Sequence, residues 1–187
     1  MNKVKYGLSD VHYALKSKGE DGTIKYGTPV PIPGAVNLSL DQEGEITPFY
    51  ADNIVYFSSS TNNGYSGDLE IADIPKSFYI DVLGYLEDAN GALVENADAT
   101  IKEFALLYQV KGDEKPRRAV LYNCKVTRPS VAAATEEESS TPQTDTLNIK
   151  STAREDNKNV KAVMELSETN QEAYNSFYKN VYEPTIA

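Results

Sequence analysis

Gly64-Tyr65-Ser66-Gly67-Asp68 sets a serine between glycines and next to a carboxylate, the raw material of an acyl-transfer nucleophile. A nucleophile elbow, however, needs Gly-x-Ser-x-Gly on a strand-to-helix turn, and a Ser-His-Asp triad needs a histidine. The glycine spacing here is wrong, and Ser66 opens an alternating strand on its polar side. The one histidine, His12, falls on the polar side of an N-terminal strand and reads as a surface residue. A hydrolase using Ser66 and His12 is therefore the least favoured function. Ser176-Phe177-Tyr178-Lys179 fits Ser-x-x-Lys, but the companion motifs are missing and the segment is an amphipathic helix. The single cysteine, Cys124, alternates in phase with Val120, Tyr122 and Val126, the pattern of a buried small hydrophobe.

One His and one Cys rule out a zinc site of ordinary composition. Glu87-Asp88-Ala89-Asn90-Gly91 lacks the spacing and distal Glu of a calcium loop and reads as a polar turn. No phosphate-cradling glycine motif is present, and the 28 acids single out no pair for glycoside cleavage. Lys115, Arg117 and Arg118 form a small basic knot, read as a charged hairpin loop or as a salt-bridge contact to an acidic neighbouring subunit. The sequence thus offers no catalytic residue, no metal site and no cofactor.

The elements that carry these residues are strands. Apolar residues recur with period two at Val11/Tyr13/Leu15, Val36/Leu38/Leu40, Tyr65/Leu69/Ile71, Phe104/Leu106/Tyr108/Val110, Val120/Tyr122/Cys124/Val126 and Val160/Ala162/Met164/Leu166. Such runs predict half-buried strands, with one face on a core and one face wet. Turn chemistry separates them at 19–22, 31–34, Asn62-Asn63-Gly64 and Lys111-Gly112-Asp113, the last joining a hairpin. Two helices are expected. The first is capped by Asp73 with Pro75 in its first turn, has Ile74, Phe78, Val82 and Tyr85 on one face, and stops near Gly84. The second runs from about Asn170 to Val181 and docks on a sheet through Tyr174, Phe177, Tyr178 and Val181. The acidic, Ser/Thr-rich stretch after residue 131 predicts a flexible loop at 132–143. The fold expected is mainly β: one domain over 1–187, a β-sandwich or partly closed barrel with a flanking α-helix and a C-terminal helix.

A net charge of −10 argues against wrapping a nucleic acid, because phosphate binding needs many Lys/Arg. Thirteen Tyr and no Trp suit half-buried sheet faces and protein contacts. No apolar run approaches a membrane span, and the N-terminus lacks a signal-peptide core.

Three stretches go beyond periodicity. Pro48-Phe-Tyr-Ala-Asp-Asn-Ile-Val-Tyr-Phe57 followed by Asn63-Gly-Tyr-Ser-Gly-Asp-Leu-Glu-Ile-Ala72, the N-terminal Lys5-Tyr-Gly-Leu-Ser-Asp-Val-His-Tyr-Ala14, and Pro31-Ile-Pro-Gly-Ala-Val-Asn-Leu-Ser-Leu40 closely resemble the major tail proteins of long-tailed, non-contractile phages of Gram-positive bacteria. Thr141-Pro-Gln-Thr-Asp-Thr-Leu147 is similar to a late motif of the same family.

The resemblance implies a structural virion protein, assembled in the host cytoplasm into hexameric rings that stack into the tail tube around a tape measure protein. Tail terminator and distal tail proteins are implied as further partners, and double-stranded DNA as a passenger that must not stick. The implied fold joins the inner sheets of neighbouring subunits into one continuous barrel. Within this frame residues 48–63 are expected to form an arm to a neighbouring subunit, with Phe49, Tyr50, Asn53, Tyr56, Phe57, Asn62 and Asn63 as contact candidates; an ordinary intrachain hairpin is the alternative. Asn37, Ser39, Ser66, Asp68 and Glu70 are the candidates to face the lumen. A carbohydrate- or receptor-binding β module, with tyrosines for sugar stacking, is the competing function.

Overall fold

A computed structural model describes residues 3–135 and 142–185. Thirteen strands and two short helices follow one another as β1 (Lys5–Lys18), β2 (Ile24–Tyr26), β3 (Val30–Pro31), β4 (Ala35–Glu43), β5 (Ile46–Ala51), β6 (Ile54–Ser60), β7 (Gly64–Ile71), α1 (Lys76–Asp81), β8 (Leu86–Glu87), β9 (Leu93–Val94), β10 (Phe104–Gly112), β11 (Arg117–Val126), β12 (Asp145–Thr152), β13 (Lys161–Glu165) and α2 (Gln171–Ser176). One antiparallel sheet carries most of them, in the order β2-β1-β10-β11-β12-β7-β4, with β3 on β1 and β13 on β11. The strand β12, absent from the sequence-based reading, sits near the middle of that sheet.

The chain is mainly β, as expected, and its sheet folds over itself like a sandwich. One side wraps a core of Val11, Tyr13, Leu69, Ile71, Phe104, Leu106, Leu121, Leu147 and Ile149. The far strand β4 returns against β1 but makes no ladder with it, so the sheet stays open. β11 shares its second edge between β13 at Arg117–Leu121 and β12 at Asn123–Val126, and the layers part at that point. Lys16 lies in the fork, 2.6 Å from Glu103 and 2.9 Å from the Asn123 side-chain oxygen.

α1 covers one end of this core with Phe78, packed edge-on against Tyr13 and Phe104 at 5.2 and 5.7 Å between ring centroids. Phe78 is 1% exposed, and burying a side chain of this size contributes about 1.5–3 kcal/mol. Asp73 is not its cap. Pro75 holds the N-cap position, where it makes no side-chain cap hydrogen bond, and the helix begins at Lys76. Gly84, with φ of 76°, lies just beyond the C-cap, where the left-handed conformation suits glycine.

The opposite side of β1, β10, β11 and β13 is not wet. Ala14, Ala105, Leu107, Val120, Tyr122 and Met164 form a second core under Tyr174, Phe177 and Val181. The expected C-terminal helix therefore docks with the predicted residues, although regular helix ends at Ser176 and continues as turns. His12 is half-buried here and stacks on Tyr178 at 4.5 Å.

Bulges break the simple alternation, and two of them move residues to an unexpected face. A register shift between Phe104 and Leu106 lets β11 turn Leu121, Cys124 and Val126 to the first core while Val120 and Tyr122 face the second. Strict period-two reading puts Cys124 and Val126 with Val120 and Tyr122, and is corrected. A second shift between Ala35 and Asn37 turns Val36 outward, 54% exposed, where burial beside Leu38 and Leu40 was expected.

Of the expected acidic loop at 132–143, residues 136–141 lie outside the described residues. On either side of that gap the backbone N–H and carbonyl of Ala134 each bond the Gln143 side chain at 3.2 Å.

Candidate assembly surfaces

The residues with catalytic potential are scattered. Ser66 and His12 lie on β7 and β1, four strand steps apart along the sheet; His12 stacks on Tyr178 over the second core, whereas Ser66 pairs with Asp41 and Lys150. Cys124 is fully buried, and burial pushes its thiol up to about 12. Ser176 bonds the Ala173 carbonyl at 3.2 Å. Asp88 accepts the backbone N–H of Asn90 and Ala92 at 2.9 and 2.7 Å, closing the turn between β8 and β9. Among the described residues no cluster of three His, Cys, Asp or Glu could hold a metal.

The basic knot is consumed internally. Arg117 pairs with Glu165 across β11 and β13. Arg118 bonds Gln109 at 3.1 Å and the Tyr174 carbonyl, with its guanidinium 4.0 Å from the Tyr174 ring centroid and 4.8 Å from that of Tyr178. Arg118 thus fastens α2 to the sheet, and Arg117 ties β13 to β11.

What stands out instead is the hairpin β5–β6. Its turn is Asp52-Asn53, both with positive φ (53° and 62°), the two-residue turn whose twist matches paired strands. Every residue of β5 and β6 except Ala51 is exposed. Ile46, Phe49, Tyr50, Ile54, Val55, Tyr56 and Phe57 are 53–74% exposed. Both faces of the ribbon are apolar, because a bulge between Phe49 and Tyr50 and the contiguous aromatic pairs defeat alternation. The hairpin extends the β4–β7 pair: Asn63 N–H bonds the Glu43 carbonyl at 2.8 Å and Thr61 N–H the Glu45 carbonyl at 3.0 Å.

Of the expected arm residues, Phe49, Tyr50, Asn53, Tyr56 and Phe57 belong to this hairpin. Asn62 and Asn63 sit at its root, where Asn62 accepts the Gly64 N–H at 3.1 Å. Ile46, Ile54 and Val55 complete the apolar surface and were not singled out by sequence. The signal available for them was an apolar run with no period around Asp-Asn.

The five residues expected to face a lumen share one surface. Asn37 pairs with Glu70 and Ser39 with Asp68 across β4 and β7, while Ser66, Asp68 and Glu70 pair with Lys150, Asn148 and Thr146 of β12. Their neighbours in each strand, Leu38, Leu40, Leu69, Leu147 and Ile149, turn to the core. The polar face is internally bonded: Asn148 donates to Asp68, Thr144 to Glu70 at 2.6 Å, and Lys150 pairs with Glu43 at 3.0 Å. Gly67 lets the three strands close up, since a Cβ there would stand 2.0 Å from the Ser39 carbonyl oxygen.

A family model described as phage tail tube protein matches residues 1–184. The chain belongs to the phage tail tube protein family. No curated protein matches it. The family is one of structural tail components, and the tail tube chain is accordingly a component of a virion. Among the described residues no helix is long and apolar enough to cross a membrane.

One structural residue of the tail tube chain went unread in the sequence. Arg154 is 3% exposed and holds Asp156 through two bonds (2.9 and 2.6 Å) and both oxygens of Glu183 at 2.6 Å. Burial works against its charge, but the two carboxylates outweigh burial and keep the guanidinium more firmly protonated than usual. Its flat face lies 5.4 Å from the rings of Tyr26 and Tyr122. With the Tyr122 hydroxyl donating to the Tyr182 carbonyl at 2.8 Å, it clamps the C-terminal segment onto the second core.

Proposed function

We propose that the chain, as a single tail tube domain, assembles into hexameric rings that stack into the tube of a long, non-contractile phage tail, the conduit for the genome. The observation carrying this reading is the β5–β6 hairpin: an apolar, aromatic ribbon left in water by its own chain. Exposed apolar patches of this kind mark association sites. β4 adds an unpaired sheet edge, and paired edges in a closed ring remove such a liability. A rotational contact closes rings, and a contact between rings propagates the filament. Phe49, Tyr50, Asn53, Tyr56 and Phe57 on the hairpin, with Asn62 and Asn63 at its root, serve as the arm to a neighbouring subunit.

The polar face of β4, β7 and β12 suits the wall of the channel. With Lys125 of the adjoining β11 included, it carries Asp41, Glu43, Asp68 and Glu70 against Lys125 and Lys150, hence a net −2 per chain. Six copies would present about −12, well short of the roughly −60 from whole-chain charge, and the sign still disfavours DNA adhesion. Asn37, Ser39 and Ser66 add neutral polar surface. The tape measure protein, the tail terminator and the distal tail proteins complete the partners of this role in the virion, with assembly in the host cytoplasm.

Negative-stain microscopy with light scattering tests the assignment. Rings or tubes from purified protein support it. A strict monomer at high concentration, even with tail initiators added, would favour the carbohydrate- or receptor-binding module instead.

A further inference from the structure

The core between the two layers has two ends, and α1 closes only one of them. Tyr13 and Phe104, which receive Phe78, lie toward one end of the β1–β10 pair; Leu8 and Val110 pair toward the other. Among the described residues no helix lines that second end. A groove of about 480 Å³ opens there, between the start of β1, the end of β10 and the edge strand β4. Leu8, Leu38, Leu40 and Val110 share its walls with Tyr65, Tyr108 and the polar Asn37, so apolar and polar surface contribute about equally. Two cations stand among its lining residues, Lys5 and Lys161, in a chain that is otherwise strongly acidic. Lys161 sits 4.4 Å from the Tyr65 ring centroid and is thereby held on the groove wall.

We propose that this unplugged end is the seat for the β5–β6 hairpin tip of a second copy of the chain. The inference rests on the self-assembly reading and gives it a receiving site. The hairpin is apolar on both faces, and it bears a single charge from Ile46 to Ser60, Asp52, at its tip. An aromatic ribbon with a negative point fits a groove of leucine, valine and tyrosine walls with two lysines beside them, and the charge pair fixes which way the ribbon enters. Tyr50, Ile54 and Val55 flank the tip and are the side chains that enter with it. A tip in one copy and a seat in another make a heterologous contact, which propagates from copy to copy instead of closing on itself as a two-fold dimer.

Two variants, each with one added cysteine, test the seat. Val55→Cys marks the hairpin and Val36→Cys marks the groove; Cys124 is buried and stays silent toward a short bis-maleimide in the folded chain. The variants are mixed, allowed to assemble, and crosslinked. A dominant 55-to-36 dimer is expected, with Leu86→Cys in place of Val36→Cys giving little product. Tubes that form normally without the 55-to-36 product overturn the seat and leave self-assembly standing. Absence of any assembly removes both. A double-mutant cycle gives a second readout. Asp52→Asn, which keeps a residue suited to positive φ, and Lys161→Gln should each raise the concentration needed for assembly about threefold, and together still about threefold. Effects that multiply, or that are absent, contradict the pairing.

Discussion

Gly67 shows how little freedom a single position has. Its neighbours Leu40 and Ile149 lie on adjacent strands, and a methyl group would collide with the Ser39 carbonyl. Gly67→Ala must push β4 off β7, at a cost of about 3 kcal/mol or more. Thermal melts should show a fall of about 6 °C or more; an unchanged midpoint would mean that the strands are not this close. Arg154 is the second case. Arg154→Met strands Asp156 and Glu183, and because both carboxylates are partly solvated the loss is about 2 kcal/mol, below the usual range for a fully buried pair. Limited proteolysis should then cut the segment after Ser176 sooner than in the parent chain. Asp156 also sets a pH dependence. The Arg154 bond holds its carboxyl below the usual carboxylate range. In Glu103, burial raises the pKa but Lys16 and Lys125 overcome it, and the net shift is again downward. Groups depressed in the folded state stabilise fully above their unfolded pKa, and that stability is lost as pH falls through the folded value. Denaturant midpoints should be flat above the ordinary carboxylate range and drop below it; a midpoint that rises on acidification would contradict both pairings.

At the scale of elements, the hairpin and the body are separable. No residue of β5 or β6 belongs to either core. Replacing residues 47–59 by a short Gly/Ser link should leave circular dichroism and the melting midpoint of the body nearly unchanged while abolishing polymerisation, as read by sedimentation. Normal polymerisation by that variant would remove the hairpin from the contact. The sequence announced this hairpin poorly, for physical reasons. Its strands are apolar on both faces, so no period marks them, and Asn63-Gly64 is a stronger turn signal in the sequence than Asp52-Asn53. β12 was missed for a related reason: only Leu147 and Ile149 mark its buried face before Ser151 breaks the pattern. The hairpin β10–β11 and the docking face of α2 were legible because aromatic and branched residues there repeat at a clean spacing. Bulges were not legible, since one extra residue changes the face of everything beyond it without altering composition. This is why Cys124 and Val36 were misplaced although the strands themselves were found.

For the whole molecule, the family assignment and the geometry meet at two surfaces. The five residues that alternation marks as polar, and that the family resemblance makes lumen candidates, fall on one face, because β4 and β7 share a register in which Asn37 meets Glu70 and Ser39 meets Asp68. Asp68→Lys with Glu70→Lys turns that face from a net −2 per chain to +2. Particles carrying the pair should assemble yet eject DNA more slowly, most visibly at low salt, where phosphate attraction is least screened. Ejection rates equal to the parent at every salt concentration would take these residues off the channel wall. The central claim is that the folded chain is one unit of a hollow polymer. A cryo-electron image of the purified, concentrated protein tests it most directly. The account predicts stacked rings with sixfold symmetry, an open channel, and an aromatic hairpin buried between copies. Dispersed single chains with the hairpin in solvent under every assembly condition would contradict it.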